Sequence, residues 1–226
     1  MAAPAEQANP ATLAEQLDSF KAGLATQAPP EVLAAFDRET TSLVASGIAA
    51  NSLKQGAQAP DFTLPSVDGT HVTLSALLTH GPVVLTFYRG DWCPYCNLQL
   101  RAYQAVLPQI QALGASLVAV SPQTPDNSLS TAEKKGLTFP VLSDAGNGVA
   151  RRYRLVFTEG EAVRPIMARF GSDVPAFNGD GSWELPMPGP FVIAPNGTVR
   201  LAHVDADWTK RLEPAAILGA LRQIAG

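Results

Sequence analysis

Two cysteines, Cys93 and Cys96, are the only thiols in the sequence, and they stand in the run Trp92-Cys93-Pro94-Tyr95-Cys96. A thiol attacks as its thiolate. A second thiol one helical turn further on can attack the mixed disulfide that the first one forms and release the product. Two intervening residues allow that closure, and Pro94 stiffens it. The run follows the apolar stretch Val83 to Tyr88 and opens a segment that reads as a helix from Pro94 to about Leu113. Proline suits the first position of such a helix. A helix N-terminus presents unpaired N–H groups and a partial positive charge, which stabilise a thiolate placed there. The pattern predicts a dithiol redox site. In it Cys93 sits at the helix cap as the more exposed, attacking sulfur, and Cys96 lies a turn deeper. Trp92 and Tyr95 line the entrance in this reading, although packing against the domain is the competing use of the Trp92 ring.

Other chemistries fit less well. A structural zinc needs four ligands, whereas the chain offers two cysteines and three histidines (His71, His80, His203) with no ligand spacing among them. No metal is expected, and inert buried cysteines are the remaining alternative. No glycine-rich phosphate loop is present, so bound NAD, FAD or nucleotide is not expected either. A net charge of −4 with 16% charged residues argues against a nucleic-acid partner. The cluster Arg151, Arg152 and Arg154 reads as a solvated helix end. The N-terminus, MAAPAEQANPATLAEQ, lacks a basic start and an apolar core, and the longest apolar runs are strand-length. No membrane association is expected, and a cytoplasmic location is the default.

Positioning the dithiol falls to an α/β scaffold. Hydrophobic residues make up 46% of the 226, enough for a full core. Residues 1–55 read as a helical extension, with Leu13, Leu17, Phe20 and Leu24 at helical spacing. A second helix follows the Pro29-Pro30 break and ends near Gly47. This extension is either a packing arm or a homodimer contact. Residues 56–226 read as one domain. Short strands flank Asp68-Gly69, and Val83 to Tyr88 reads as a central strand buried on both faces. Beyond the cysteine helix come a strand at Ser116 to Val120, a helix near Asn127 to Lys135 and a strand at Phe139 to Leu142. This alternation predicts a mixed, mainly parallel sheet flanked by helices. Residues 155–187 read as irregular, with a short helix from Glu161 to Phe170, and as a cover for the site. Pro195-Asn196-Gly197 marks a late hairpin, and Pro214 to Ile224 a final helix. Ser121-Pro122-Gln123 follows a strand end, where α/β proteins place their sites. His203, Asp205 and Asp207 on the late hairpin have no spacing that links them to Cys93.

The segment FYRGDWCPYCNLQLRAY resembles two related families. Trp-Cys-Pro-Tyr-Cys is similar to the thioredoxin active site, and Cys-Pro-Tyr-Cys is the glutaredoxin form. The wider chain resembles the alkyl hydroperoxide reductase/thiol-specific antioxidant family, the peroxiredoxins, through APDFTLPSVDGTHVTLSAL, SLVAVSPQTPDNS, LTFPVLSD and FVIAPNGTVRLAHVD. It is closest to the peroxiredoxin-like branch that carries a C-x-x-C. The resemblance implies a thioredoxin-like fold. It also implies a peroxide-reacting cysteine at Cys96 when Phe87-Tyr88 is laid on the family's Phe-Tyr. The family's threonine, proline and arginine positions then fall on Cys93, Arg89 and Pro188, so three peroxide-pocket residues are replaced. Pro188 stands where thioredoxins carry a proline after a cis bond that presents backbone to an extended disulfide substrate, and the cis form is expected here.

Three functions follow. The leading one is thiol–disulfide exchange, with Cys93 attacking and Cys96 resolving. The alternative is hydroperoxide reduction by Cys96 or Cys93, with Arg89 standing in for the missing arginine unless it is an ordinary strand-end residue. The third is a non-catalytic redox sensor or binding protein. The partners implied are a hydroperoxide or disulfide substrate and a thiol donor: thioredoxin, glutaredoxin or glutathione.

Overall fold

A computed structural model describes residues 11–226. The reading of a leaderless N-terminus rests partly on residues 1–10, which lie outside it. Helix α1 (Leu13–Gln27) begins with a reciprocal cap, in which the Thr12 side chain accepts from the Glu15 N–H and the Glu15 carboxylate accepts from the Thr12 N–H. Pro29 and Pro30 separate it from α2 (Pro30–Ala45), which leads to α3 (Ile48–Asn51). Strands β1 (Thr63–Pro65) and β2 (His71–Thr73) pair antiparallel, and α4 (Leu74–Leu78) leads into β3 (Val83–Phe87). Then follow α5 (Pro94–Ala105), α6 (Leu107–Ala112), β4 (Ser116–Ser121), α7 (Pro125–Lys135) and β5 (Val141–Ser143). A 3-10 turn (Ala145–Asn147) and α8 (Gly148–Arg152) precede β6 (Val156–Thr158), α9 (Arg164–Arg169), α10 (Val174–Asn178) and β7 (Glu184–Pro186). The chain closes with β8 (Gly189–Ile193), β9 (Val199–Ala202) and α11 (Pro214–Ala225).

The five-stranded sheet has the order β5-β4-β3-β8-β9. β3 lies at its centre with all five residues buried, parallel to β4 and antiparallel to β8. The sheet is therefore mixed, parallel on the β4–β5 side and antiparallel on the β8–β9 side. Alternation along a strand sends neighbouring side chains to opposite faces, and it divides the core in two. Val83, Leu85, Phe87, Val118, Val120, Phe191 and Ile193 join one apolar cluster. Val84, Tyr88, Leu117, Ala119 and Val192 join the other, together with Cys93 and Cys96. Both N-terminal helices pack onto this sandwich. From α1, Leu13 and Leu17 enter the dithiol face, while Ala35 and Leu43 of α2 enter the opposite one.

Local chemistry explains where elements depart from expectation. The helix expected to run from Pro94 to Leu113 breaks at Val106, because Pro108 has no N–H to continue the ladder and instead occupies the first turn of α6. Residues 155–187 are more ordered than the sequence suggests. β6 and β7 form an antiparallel pair in which Phe157 faces Leu185, and a 25-residue excursion carrying α9 and α10 lies between them. The arginines at the end of α8 are exposed, and Arg151 pairs with Glu184 of β7. Among the described residues no helix is long and apolar enough to cross a membrane.

Candidate active site

Cys93 is the N-cap of α5 and Pro94 its first helical residue, as the proline's fixed φ and missing N–H favour. The entering loop is tied down on both sides. The Cys93 N–H donates to the Gly90 carbonyl (3.1 Å), and the Asn97 side-chain amide donates to the Asp91 carbonyl (2.7 Å). The Asp91 N–H donates to the side-chain oxygen of Gln123 (2.7 Å), which is fully buried. The Ser121-Pro122-Gln123 turn thus borders the site by holding its loop. Asp91 also faces Lys135 at 3.3 Å. A side chain at Gly90 would run into the Trp92 indole, so glycine lets that ring fold back over the loop.

Both cysteines are free thiols, and both are buried, at 1% and 0% exposure. The expectation that Cys93 is the more exposed sulfur is therefore corrected. The cap is covered by tertiary packing from distant segments. Phe20 of α1 meets the Tyr95 ring edge-on at 5.1 Å, and Tyr95 in turn meets Trp208 at 5.4 Å. Helix α1 is held there by the Glu213 carboxylate, which accepts from the Ala14 N–H at 2.6 Å.

Cys96 Sγ collects the donors. The Arg89 N–H lies 3.5 Å from it and Arg211 Nη2 lies 3.6 Å from it. Burial pushes the Cys96 thiol up, but the hydrogen bond from Cys93, the Arg211 charge, and the Arg89 N–H and charge outweigh it, bringing the thiol from 9.0 down to about 5. Cys93 moves the other way. Its burial, the proton it donates to Cys96 and the charge on Cys96 push it well above 9.0. The hydrogen bond from Cys93 and the two guanidinium charges favour the negative charge on Cys96 and the proton on Cys93.

The Arg89 side chain points away from bulk water. Its guanidinium contacts the Glu159 carboxylate, with the two residues 2% and 1% exposed. It also lies 4.9 Å from the Trp92 ring and 4.3 Å from the Trp208 ring. The guanidinium stays charged at all ordinary pH; burial pushes the Glu159 carboxyl up, and the Arg89 charge opposes that rise. Trp92 is thus both a packing residue and a face for Arg89.

Pro188 lies buried between β7 and β8. The expected cis bond is not found: no peptide bond among the described residues is cis. The chain must stay extended here to pass from one pairing to the next, since Pro186 sits opposite Val156 and Gly189 opposite Phe87. A trans link provides that reach.

Sequence reasoning missed Arg211, Glu159 and Trp208, and no local spacing connects them with the cysteines. Arg211 also lines a cleft of about 380 Å³ with Leu17 and Lys21 of α1, Tyr95, His203 and Asp207. The late-hairpin residues His203 and Asp207 are thereby brought next to Tyr95. No group of histidine, cysteine or acidic residues among the described residues could hold a metal ion.

A central mixed sheet with a C-x-x-C at the head of the helix after its middle strand is a thioredoxin-like arrangement. The sequence profile of the AhpC/TSA family matches residues 55–202, and the chain belongs to that family. It is 31% identical over 127 residues to chloroplastic peroxiredoxin Q of Triticum aestivum, covering 56% of this chain and 58% of that protein. It is 29% identical over 151 residues to chloroplastic peroxiredoxin Q of Gentiana triflora, covering 67% and 59%. The matches thus span less than two thirds of these relatives. Among solved structures, peroxidoxin BcpB from Mycobacterium tuberculosis superposes with a TM-score of 0.59 at 26% identity, covering 76% of this chain and 98% of that one.

Proposed function

We propose that this chain reduces hydroperoxides through a Cys93/Cys96 dithiol–disulfide cycle, with Cys96 as the attacking thiolate and Cys93 as the resolving thiol. The observation that carries this reading is the set of donors converging on Cys96 Sγ from Cys93, Arg89 and Arg211. The thiolate attacks the O–O bond and keeps one oxygen as a sulfenic acid. The other oxygen takes up a proton and leaves as an alcohol, or as water from hydrogen peroxide. Cys93 Sγ then attacks Cys96 Sγ. The S–S bond forms, the S–O bond breaks, and the hydroxyl leaves with the Cys93 proton as water. A thiol donor such as thioredoxin, glutaredoxin or glutathione returns two electrons and two protons to the disulfide.

The peroxiredoxin relatives support this over thiol–disulfide exchange, which the C-x-x-C alone favours. Burial of both sulfurs points the same way, because a peroxide is small enough to reach a covered thiolate and an extended protein disulfide is not. In this reading residues 56–226 perform the chemistry, and α1 from the 1–55 extension covers it. A cytoplasmic location belongs to the same proposal, since recycling by thiol donors needs a reducing compartment.

A turnover assay with hydrogen peroxide and each of the three donors tests the reading. The wild type turns over with at least one donor, Cys96→Ser does not, and Cys93→Ser consumes about one equivalent and stalls. Sustained turnover by Cys96→Ser would reverse the two roles. A wild type that is oxidised once and accepts electrons from no donor would favour a sensor.

A further inference from the structure

We propose that α1 is a lid that divides the cycle into two halves. Closed, it admits a peroxide to the thiolate; it must lift before any thiol donor can reach the Cys93–Cys96 disulfide. This rests on the peroxide-reduction reading and names what regulates its second half. Neither the lid (Leu13–Gln27) nor its latch, Glu213, lies within the residues 55–202 that the family profile matches.

Returning electrons to the disulfide requires contact between sulfurs. A donor thiolate attacks one cysteine sulfur in line with the S–S bond, a mixed disulfide forms and the other cysteine leaves as a thiolate. A second donor thiol then attacks the donor sulfur of that mixed disulfide and frees the first cysteine. The donor ends as a disulfide and the enzyme as its dithiol, having gained two electrons and two protons. Such an approach needs an open path at least as wide as a thiol-bearing group, whereas both cysteines are buried. Helix α1 packs into this region. Its Leu13 and Leu17 share one buried cluster with Cys93, Cys96 and Tyr95, and its Phe20 ring meets the Tyr95 ring edge-on.

The way α1 is attached suits movement as a unit. Only Leu13 and Leu17 of its 15 residues are buried, and Leu24 in its last turn is 39% exposed. Two clefts border it. One of about 380 Å³ separates Ala14, Asp18 and Lys21 from the segment after β9, and one of about 210 Å³ lies where Phe20 faces Pro94 and Leu98 of α5. At its N-terminus the Glu213 carboxylate accepts from the N–H groups of Leu13 (3.4 Å) and Ala14 (2.6 Å), a negative charge against the positive end of the helix. Glu213 is the N-cap residue of α11, yet its side chain makes no capping bond to that helix and serves α1 instead. At the other end Ala28 and Pro29 are extended, with ψ of 142° and 143°, and lead into α2. Helix α2 is fixed on the opposite core face by Ala35 and Leu43, and by Glu39, which accepts from the Gly160 N–H at 2.9 Å. The two-residue link is thus a hinge with one anchored arm and one lightly held arm, the kind of element that opens below the free energy of global unfolding.

Glu213→Ala, at the latch, and Phe20→Ala, at the Tyr95 contact, test this in the full chain. Each protein is first converted to its disulfide by prolonged incubation with diamide, which involves no peroxide. Reduction by dithiothreitol and by thioredoxin is then followed by stopped-flow tryptophan fluorescence. Loss of a helix-capping carboxylate raises the open population about tenfold. Reduction is expected to speed up about tenfold, by the same factor for both donors, because both wait for one opening. Oxidation of the reduced variants by hydrogen peroxide is expected to stay within about twofold of wild type, since the closed form still dominates. Hydrogen exchange by mass spectrometry locates the opening: peptides of α1 exchange faster, while those of α2 and α11 exchange as in wild type. If circular dichroism shows Phe20→Ala misfolded, Glu213→Ala decides. Unchanged reduction in the folded variants would overturn the lid. So would an equal acceleration of the peroxide step, or a gain confined to thioredoxin. If the wild type reacts with peroxide no faster than a free thiol while the variants still speed reduction, the peroxide reading fails and the lid stands.

Discussion

Replacing Glu159 by glutamine removes one charge from the buried Arg89–Glu159 pair and leaves the shape nearly unchanged. Stripping one partner from a buried pair costs about 3–5 kcal/mol, because the other charge is left uncompensated. Here the cost depends on redox state. In the reduced protein the Cys96 thiolate is a second anion near Arg89, whose own N–H touches the sulfur. In the Cys93–Cys96 disulfide no such anion exists. The oxidised form therefore bears the full cost, and the reduced form recovers part of it. A recovery of about 1.4 kcal/mol makes the disulfide about 30 mV more oxidising. Urea unfolding of both redox forms, with a redox titration against glutathione buffers, measures the two sides of this relation. Equal destabilisation of both forms with an unchanged potential would refute the reasoning, since it would mean that Arg89 does not interact with the thiolate.

Three further outcomes are expected. The depressed Cys96 thiol places half-maximal oxidation by peroxide near pH 5, with a plateau by about pH 7; a midpoint near 9 contradicts the site electrostatics. The same shift sets a stability difference. The Cys96 contribution is complete above its unfolded value of 9.0, declines as pH falls from there towards 5, and is gone below 5. Reduced protein therefore gains on oxidised protein as pH rises through that window, at a slope approaching about 1.4 kcal/mol per pH unit, while the raised Cys93 thiol opposes any further gain above 9.0. Pairs of urea melts across the window check it, and a flat difference counts against it. Leu17→Ala, at a buried position of α1, is expected to cost about 2–5 kcal/mol and to speed labelling of the dithiol by a bulky maleimide; unchanged labelling would show that α1 does not cover the sulfurs.

What the sequence reveals about this site divides along chain distance. The central strand, the C-x-x-C at a helix start and the Pro195-Asn196-Gly197 turn are local patterns, and each appears where its periodicity or turn chemistry puts it. Cys96 and Cys93 are legible as a reactive pair for the same reason. The division of labour proposed for them is not, because it rests on a contact with Arg211, 115 positions from Cys96 in the chain. The partner of Arg89 is Glu159, 70 positions away. Nothing in the spacing of these residues announces their meeting, which the order of strands around β3 and the return of the chain after β9 produce. Cys93 likewise shares its buried cluster with Leu13 and Leu17 of α1, a helix whose apolar stripe is visible in the sequence but whose docking site is not. Pro188 shows the opposite error. Its alignment with a cis proline is a local cue, and the extended passage between two strand pairings overrides it.

The central claim is that Cys96 is the thiolate a peroxide meets. The most direct test is to oxidise Cys93→Ser at pH 6 with hydrogen peroxide, follow the rate by stopped flow and locate the sulfenic acid by trapping and peptide mass spectrometry. The account predicts a rate orders of magnitude above that of a free thiol at that pH, with the trapped oxygen on Cys96. A rate equal to the free thiol's, alongside fast oxidation of Cys96→Ser at Cys93, would contradict it.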